Sequence, residues 1–576
     1  MKAGHRHTFL KRAGLGAAAL VFPMAGKSAA LGFQSPDKPV PPRPNIIVIL
    51  ADDMGFSDLG CYGGEISTPN LDALAADGLR FTQFYNTSRC CPSRAAILTG
   101  LYSHEAGMGA MTSARKENGR VLPGYLGHLN DNCVTIAEVL RSAGYFTAMS
   151  GKWHVGQQGT GGVVPWKRGF DRSLNSEAGG FYYSDEKANL YLNGVLMAND
   201  DPALPKDWYT TDLWTDYGVK FIDEARAAKK PFFLYLAYNA PHFPLQAPAE
   251  DIAKFRGKYM AGWDKLREAR YRKQLQLGLV DKSWPLSPRP PQVAAWDSLT
   301  ADEKDRFDHI MAIYAACVYH MDKEIGVLTA GLAERGMLDS TLILFMSDNG
   351  GNFEGGPDGI MKGPGDPGAA NSTVWCGQSW AALENTPFRR YKHFEHEGGI
   401  STPLIVHWPD GVKAKNEFRT QPGHLIDIMA TCADVAGAQY PAEFNGHPIH
   451  PMDGRSLVPA FSNKPVQRNA PLFWEHEGNA AVRQGDWKLV RFQWNGVWEL
   501  YNIKSDRTEQ NNLAAAQPER VETMAKLWHD WAEHANVLPA ARRNFGDAHF
   551  RATPHDGYGG PADTVPALST KTKNQE

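Results

Sequence analysis

Four continuous apolar runs constrain the fold of this chain more than any other feature, because each one ends in polar residues capable of chemistry. Asn45-Ile46-Ile47-Val48-Ile49-Leu50 leads into Asp52-Asp53-Met54-Gly55, and Tyr145-Phe146-Thr147-Ala148-Met149 leads into Gly151-Lys152-Trp153-His154. Pro231-Phe232-Phe233-Leu234-Tyr235-Leu236 leads into Ala240-Pro241-His242, and Thr341-Leu342-Ile343-Leu344-Phe345-Met346 into Ser347-Asp348-Asn349-Gly350. Runs that stay apolar without alternating fit strands buried on both faces, as in a parallel sheet. Helical patterns intervene at 135–143, 212–229 and 302–335. Strands alternating with helices predict an α/β fold, a large and mainly parallel sheet flanked by helices. Ligands of such sheets bind beyond the carboxyl ends of the strands, where these polar residues fall.

With 576 residues the chain exceeds one usual hydrophobic core, so a large domain at 45–440 and a smaller one at 441–541 are expected. The smaller one reads as short antiparallel strands at 471–475, 480–491 (with a Gly485-Asp486 turn) and 497–502, then a helix from 518 to about 535. The boundary falls between Gly437 and Arg468, and 542–576 is a tail rich in Gly, Pro and Thr. No internal repeat is present. The segments 173–216 and 257–299 lack strong periodicity and carry many aromatic, Arg and Pro residues, as specificity loops do.

Residues 1–30 read as an export signal. Arg6-His7-Thr8-Phe9-Leu10-Lys11-Arg12 precedes an apolar run at 13–25, and Ser28-Ala29-Ala30 offers a cleavage site. The order is similar to a twin-arginine signal, with His7 where a second arginine would stand. The run is shorter than the roughly 20 residues of a membrane span, and Gly14, Gly16 and Pro23 interrupt it. A proline-rich lead-in at 31–44 follows. The expectation is an exported protein, periplasmic or secreted, with no stable membrane insertion. A net charge of −3 without a long basic block argues against nucleic acid as a partner. Seven cysteines, irregularly spaced apart from Cys90-Cys91, do not form a disulfide framework; one bridge is possible, and nothing selects a pair.

Two constellations carry chemistry. In Cys90-Cys91-Pro92-Ser93-Arg94, Pro92 suits the first position of a helix, which puts Cys90 at the positive end of the dipole and Arg94 one turn in. That arrangement can hold an anion and activate a nucleophile. Asp52, Asp53, Asp348 and Asn349 offer only oxygen donors, which suit Ca²⁺ or Mg²⁺ better than zinc. Taken singly, each has a bland reading: a loop cysteine, a capped turn, a surface lysine, a packed histidine.

Cys-x-Pro-Ser-Arg followed by Ala-Ala-Ile-Leu-Thr-Gly (90–100) resembles the signature of type I sulfatases, within the alkaline-phosphatase-like superfamily. The likeness runs from Pro44 to about Val537. Gly-Gly-Glu-Ile-Ser-Thr-Pro-Asn-Leu-Asp (63–72) and Ala-Pro-His-Phe-Pro-Leu-Gln-Ala-Pro (240–248) bring it near the bacterial arylsulfatases. The resemblance implies that a maturation enzyme oxidises Cys90, and not Cys91, to formylglycine. It implies Ca²⁺, ahead of Mg²⁺, held by Asp52, Asp53, Asp348, Asn349 and residue 90; Met54 departs from the commoner leucine but touches no ligand.

It also implies roles for the remaining residues. Lys152, His242 and Lys392 bind substrate, and Arg94 and the metal stabilise the formylglycine hydrate. Asp348 is the base for attack on sulfur, His242 and Lys392 assist the departing alcohol, and His154 deprotonates the second hydroxyl to expel sulfate from a sulfated enzyme. Only the lysine is carried over from Tyr391-Lys392-His393-Phe394-Glu395-His396-Glu397-Gly398-Gly399. The expected activity is hydrolysis of an aryl sulfate or a sulfated carbohydrate. A phosphonate or phosphate ester hydrolase is the nearest rival, and a non-catalytic exported binding protein the rival from another class.

Overall fold

The computed structural model describes residues 43–158, 162–184 and 189–538. The export signal, most of the proline-rich lead-in and the tail at 542–576 lie outside the described residues.

The main sheet has eleven strands. They are β1 (Asn45–Ala51), β2 (Leu79–Tyr85), β3 (Phe146–Lys152), β4 (Arg172–Ser176), β5 (Leu190–Leu192), β6 (Val195–Met197), β7 (Phe232–Ala237), β8 (Thr341–Ser347), and, after a two-stranded hairpin of β9 (Ile360–Lys362) and β10 (Thr373–Trp375), β11 (Ser401–His407), β12 (Glu417–Arg419) and β13 (Gly423–His424). The order is β12-β2-β11-β8-β1-β7-β3-β4-β5-β6, with β13 also on β2. Strands β8, β1, β7, β3 and β4 are mutually parallel, in keeping with the unbroken apolar runs of the first four. Every residue of β1 is buried, with Val48 opposite Leu344 on one side and Tyr235 on the other.

One departure from parallel order matters for function. Strand β11 runs antiparallel to both β8 and β2, with Ser401 opposite Tyr85. The amino end of β11 therefore lies on the same sheet edge as the carboxyl ends of β1, β2, β3, β7 and β8. Six loops converge on that edge.

Alternate residues of β1 feed two cores. Ile46, Val48 and Leu50 pack with helices α2 (Cys90–Thr99), α3 (Ile136–Ser142) and the C-terminal part; Ile47, Ile49 and Ala51 pack under α1 (Pro69–Ala76), α4 (Thr210–Ala227) and α6 (Ala301–Glu334). Helix α6 opens with a capping box, Thr300 Oγ1 accepting from Glu303 N and Glu303 Oε2 accepting from Thr300 N. Such a cap contributes about 1 kcal/mol. The C-terminal part is an antiparallel sheet of β14 (Leu472–His476), β15 (Asn479–Gln484), β16 (Trp487–Arg491) and β17 (Glu499–Asn502), covered by a helix at Pro518–His534. The turn at Gly485-Asp486 divides the predicted 480–491 run into β15 and β16. Among the described residues no disulfide joins any of the seven cysteines.

The aperiodic reading of 257–299 misses a helix, α5 (Trp263–Leu277). Its buried stripe is Trp263, Arg267, Arg270 and Gln274, so helical spacing is present but carried by polar side chains. Arg270 pairs with Asp58 and Glu65 at 2.7 Å, and Gln274 Nε2 donates to the carbonyls of Tyr62 and Thr386.

Candidate active site

After β2 the chain reaches Arg89 in extended conformation and turns into α2, whose first backbone bond runs from Ser93 N to Arg89 O. The helix starts at Cys90, so Pro92 is third and not first. It still lies in the opening turn, where its missing N–H would have no partner. Gly100, at φ 72°, closes the helix in the left-handed conformation, and its N–H bonds Ala96 O. All ten helical residues are buried.

Cys90 and Cys91 differ sharply in chemistry. A hydrogen bond from Cys91 holds the Cys90 thiol well below its ordinary range against the effect of burial, and His154 and Lys152 add to the shift. Burial drives Cys91 the other way. The Cys90 and Cys91 sulfurs and a His154 ring nitrogen lie within 4.8 Å of one another. Burial takes the His154 imidazole down to about 4, with Cys90 opposing. His154 has φ 55°, so it escapes the strand alternation that ends at Lys152.

The acidic residues stand between buried cations. Arg94 Nη2 lies 3.0 Å from Asp348 Oδ2 and 3.2 Å from Asp52 Oδ2, and Arg94 Nη1 donates to Lys152 O. Lys152 Nζ is 2.5 Å from Asp52 Oδ2, and Lys392 Nζ is 2.7 Å from Asp53 Oδ1. Burial opposes the charge on Asp52, but Lys152, His242 and Arg94 outweigh it and hold the carboxyl below its usual range. Burial pushes Asp348 up, with Asp52 adding repulsion and Arg94 opposing.

Asp52 Oδ1 and Asn349 Oδ1 are buried and have no hydrogen-bond partner among the described residues. Two orphaned oxygens beside the carboxylates of Asp53 and Asp348 fit a hard cation, since an unpaired buried acceptor is otherwise costly. Backbone and side chains brace the set: Asp53 N donates to Asp348 Oδ1, Asn349 Nδ2 to Asp53 Oδ1, and Ser93 Oγ to Asp348 O.

His242 lies past β7, its Nε2 3.6 Å from Asp53 Oδ2 and its Nδ1 2.6 Å from Phe243 O. Every residue singled out from the sequence thus meets at this edge. Sequence reasoning missed Arg89, Asn352 and Glu354. Glu354 bridges Arg89 Nη1 (2.9 Å) and Lys392 Nζ (3.2 Å), and Asn352 Nδ2 donates to Asp53 Oδ2 at 2.7 Å. The Asn-x-Glu three residues past Asn349 gives no signal of its own, because such pairs abound in loops.

Comparison with known proteins gives concordant matches. A family model described as Sulfatase matches residues 44–438, and one described as N-sulphoglucosamine sulphohydrolase, C-terminal, matches residues 389–536. An uncharacterized sulfatase of Schizosaccharomyces pombe is 35% identical, covering 86% of this chain and 95% of its own length. An arylsulfatase of Klebsiella aerogenes is 33% identical over 75% of this chain and 94% of its own. Among solved structures, Ps i-CgsB in complex with k-i-k-neocarrahexaose superposes with a TM-score of 0.63 at 29% identity, covering 86% of this chain and 94% of that one.

Proposed function

The chain belongs to the sulfatase family and is a sulfuric ester hydrolase, and from that premise we propose that Cys90, matured to formylglycine, is its nucleophile and that sulfated carbohydrate is its substrate class. One observation carries the reading. Three buried cations, Arg94, Lys152 and Lys392, converge with an all-oxygen cation cradle on the edge where Cys90 opens a helix. This combination suits a sulfate ester, whose sulfuryl oxygens are negative and whose departing oxygen gains charge as the S–O bond breaks.

Asp52, Asp53, Asp348 and Asn349 would hold Ca²⁺, which supplies Lewis-acid polarisation of a sulfate oxygen. Formylglycine at residue 90 would supply an aldehyde, whose hydrated form offers a hydroxyl nucleophile for sulfur chemistry that must later release sulfate. The protein's own residues do the rest. Lys152 and Lys392 bind sulfate oxygens, and Arg94 fixes Asp348 and Asp52 in place while adding positive charge. Asp348 takes the proton of the attacking hydroxyl. His242 donates Nδ1–H to the Phe243 carbonyl and turns Nε2 toward Asp53 and the pocket; as the imidazolium, a form that burial disfavours and Asp53 favours, it delivers the Nε2 proton to the departing alcohol. His154, beside residue 90, takes the proton that allows sulfate to leave. Domains at 45–440 and 441–541 and export through the signal at 1–30 complete the proposal, with a maturation enzyme as partner. The glycan-bound structural relative supports a sulfated carbohydrate over a simple aryl sulfate.

Release of inorganic sulfate from sulfated oligosaccharides and from 4-nitrophenyl sulfate tests this reading. Cys90→Ala is expected to lower kcat by about 10³-fold or more. Undiminished turnover by that variant would contradict it, and turnover of aryl sulfates alone would contradict the substrate class.

A further inference from the structure

His242 is the first of three rings in contact. Its imidazole stacks on Phe243 with centroids 4.1 Å apart and planes 24° apart, and Phe243 packs on the Trp375 indole at 3.9 Å and 33°. Phe243 is therefore sandwiched between His242 and Trp375, a spacer and not an open wall for a substrate ring. The stack restrains the plane of the imidazole, and the bond at Nδ1 selects which edge faces the pocket.

Trp375 ends β10, in the excursion between Asn349 and helix α7 (Gln378–Glu384). That excursion is zipped to the His242 loop. Leu245 N donates to Val374 O at 2.7 Å, Ala247 N to Gly368 O at 2.9 Å, and Gln246 Nε2 to Ser372 O at 3.2 Å. It also contributes Asn352, which grips Asp53, and Glu354, which grips Lys392. One stretch of chain thus grips Asp53 and Lys392 directly and reaches His242 through Phe243.

We propose that Trp375 is a positioning residue, acting through Phe243 to hold His242 toward the departing oxygen of the sulfate ester. The inference rests on the role given to His242 above. Its consequence is selective. A nitrophenolate leaves with little help, whereas a poorer leaving group needs the proton that His242 delivers. Loss of the indole frees the ring to rotate away, and the cost grows as the leaving group worsens.

The test compares the full chain with Trp375→Ala, Trp375→Phe, His242→Ala and the Trp375→Ala/His242→Ala double variant on aryl sulfates that differ only in leaving group. Trp375→Ala is expected to lower kcat on phenyl sulfate roughly tenfold more than on 4-nitrophenyl sulfate, with KM within about threefold. Trp375→Phe, which keeps a ring in the stack, recovers most of the loss and remains informative if the alanine variant folds poorly. His242→Ala shows the same selectivity, and the double variant is no worse than His242→Ala. A rise in KM with kcat unchanged, equal losses along the series, or losses that multiply in the double variant would overturn the link to Trp375. Absence of selectivity in His242→Ala would instead overturn the role of His242 and this inference with it.

Discussion

Lys392 Nζ sits 2.7 Å from Asp53 Oδ1, and both side chains are buried. Lys152 makes the matching pair with Asp52 across the site. Each lysine thus holds a carboxylate that a cation would also engage, while Asp52 Oδ1 and Asn349 Oδ1 have no protein partner among the described residues. A buried carboxylate that loses its only cation is strongly destabilising.

The first prediction follows from the orphaned oxygens. Ca²⁺ raises the thermal midpoint in a concentration-dependent way, reaching about 2.7 kcal/mol of stabilisation at a hundredfold excess over its dissociation constant. Asp52→Asn and Asn349→Ala abolish the shift. Scanning calorimetry with and without chelator checks this, and an equal shift in both variants would sink the assignment.

Lys392→Met leaves Asp53 and Glu354 without their ammonium partner. In chelator the variant is expected to lose about 3–5 kcal/mol of unfolding free energy. Part of that loss returns when Ca²⁺ is added, because the cation takes over Asp53. Denaturant midpoints in the two buffers measure the difference, and a loss insensitive to Ca²⁺ would speak against Asp53 as a ligand.

Arg270 is the polar anchor of α5, bidentate on Glu65 and bonded to Asp58, which also accepts from Tyr314 Oη at 2.7 Å. Arg270→Leu strands Asp58 in the core and costs about 3–5 kcal/mol. Adding Asp58→Leu recovers part of the loss, since the pair no longer contains an unmatched charge. Strictly additive losses would contradict the coupling.

Glu105 gives a pH dependence away from the active site. Burial, then the hydrogen bond and repulsion from Asp453, push its carboxyl up to about 10. The folded chain therefore keeps a proton that the unfolded chain releases from about pH 4.5 upward. Stability linked to this group is complete below that pH and is lost as pH rises toward 10. Glu105→Gln should match the wild type near pH 4 and gain on it progressively to pH 9, as read by thermal midpoints. A pH-independent difference would contradict the linkage.

Much of the site was legible because its residues sit at the ends of β1, β3, β7 and β8, whose apolar runs mark strand termini. The convergence of Cys90 and Lys392 on that edge was legible only through resemblance. It depends on β11 running antiparallel beside β2, a long-range pairing that local pattern does not encode. Helix α5 escaped notice because Arg267, Arg270 and Gln274 form its inner face, and hydrophobic periodicity cannot register polar burial. Asn352 and Glu354 escaped for a related reason: their partners, Asp53 and Lys392, are remote in sequence.

The mass of the proteolytic peptide carrying Cys90, taken from protein made in its native host, tests the central claim most directly. The account predicts an aldehyde in place of the thiol at residue 90, with Cys91 intact. An unmodified Cys90 thiol in active, folded protein would contradict it.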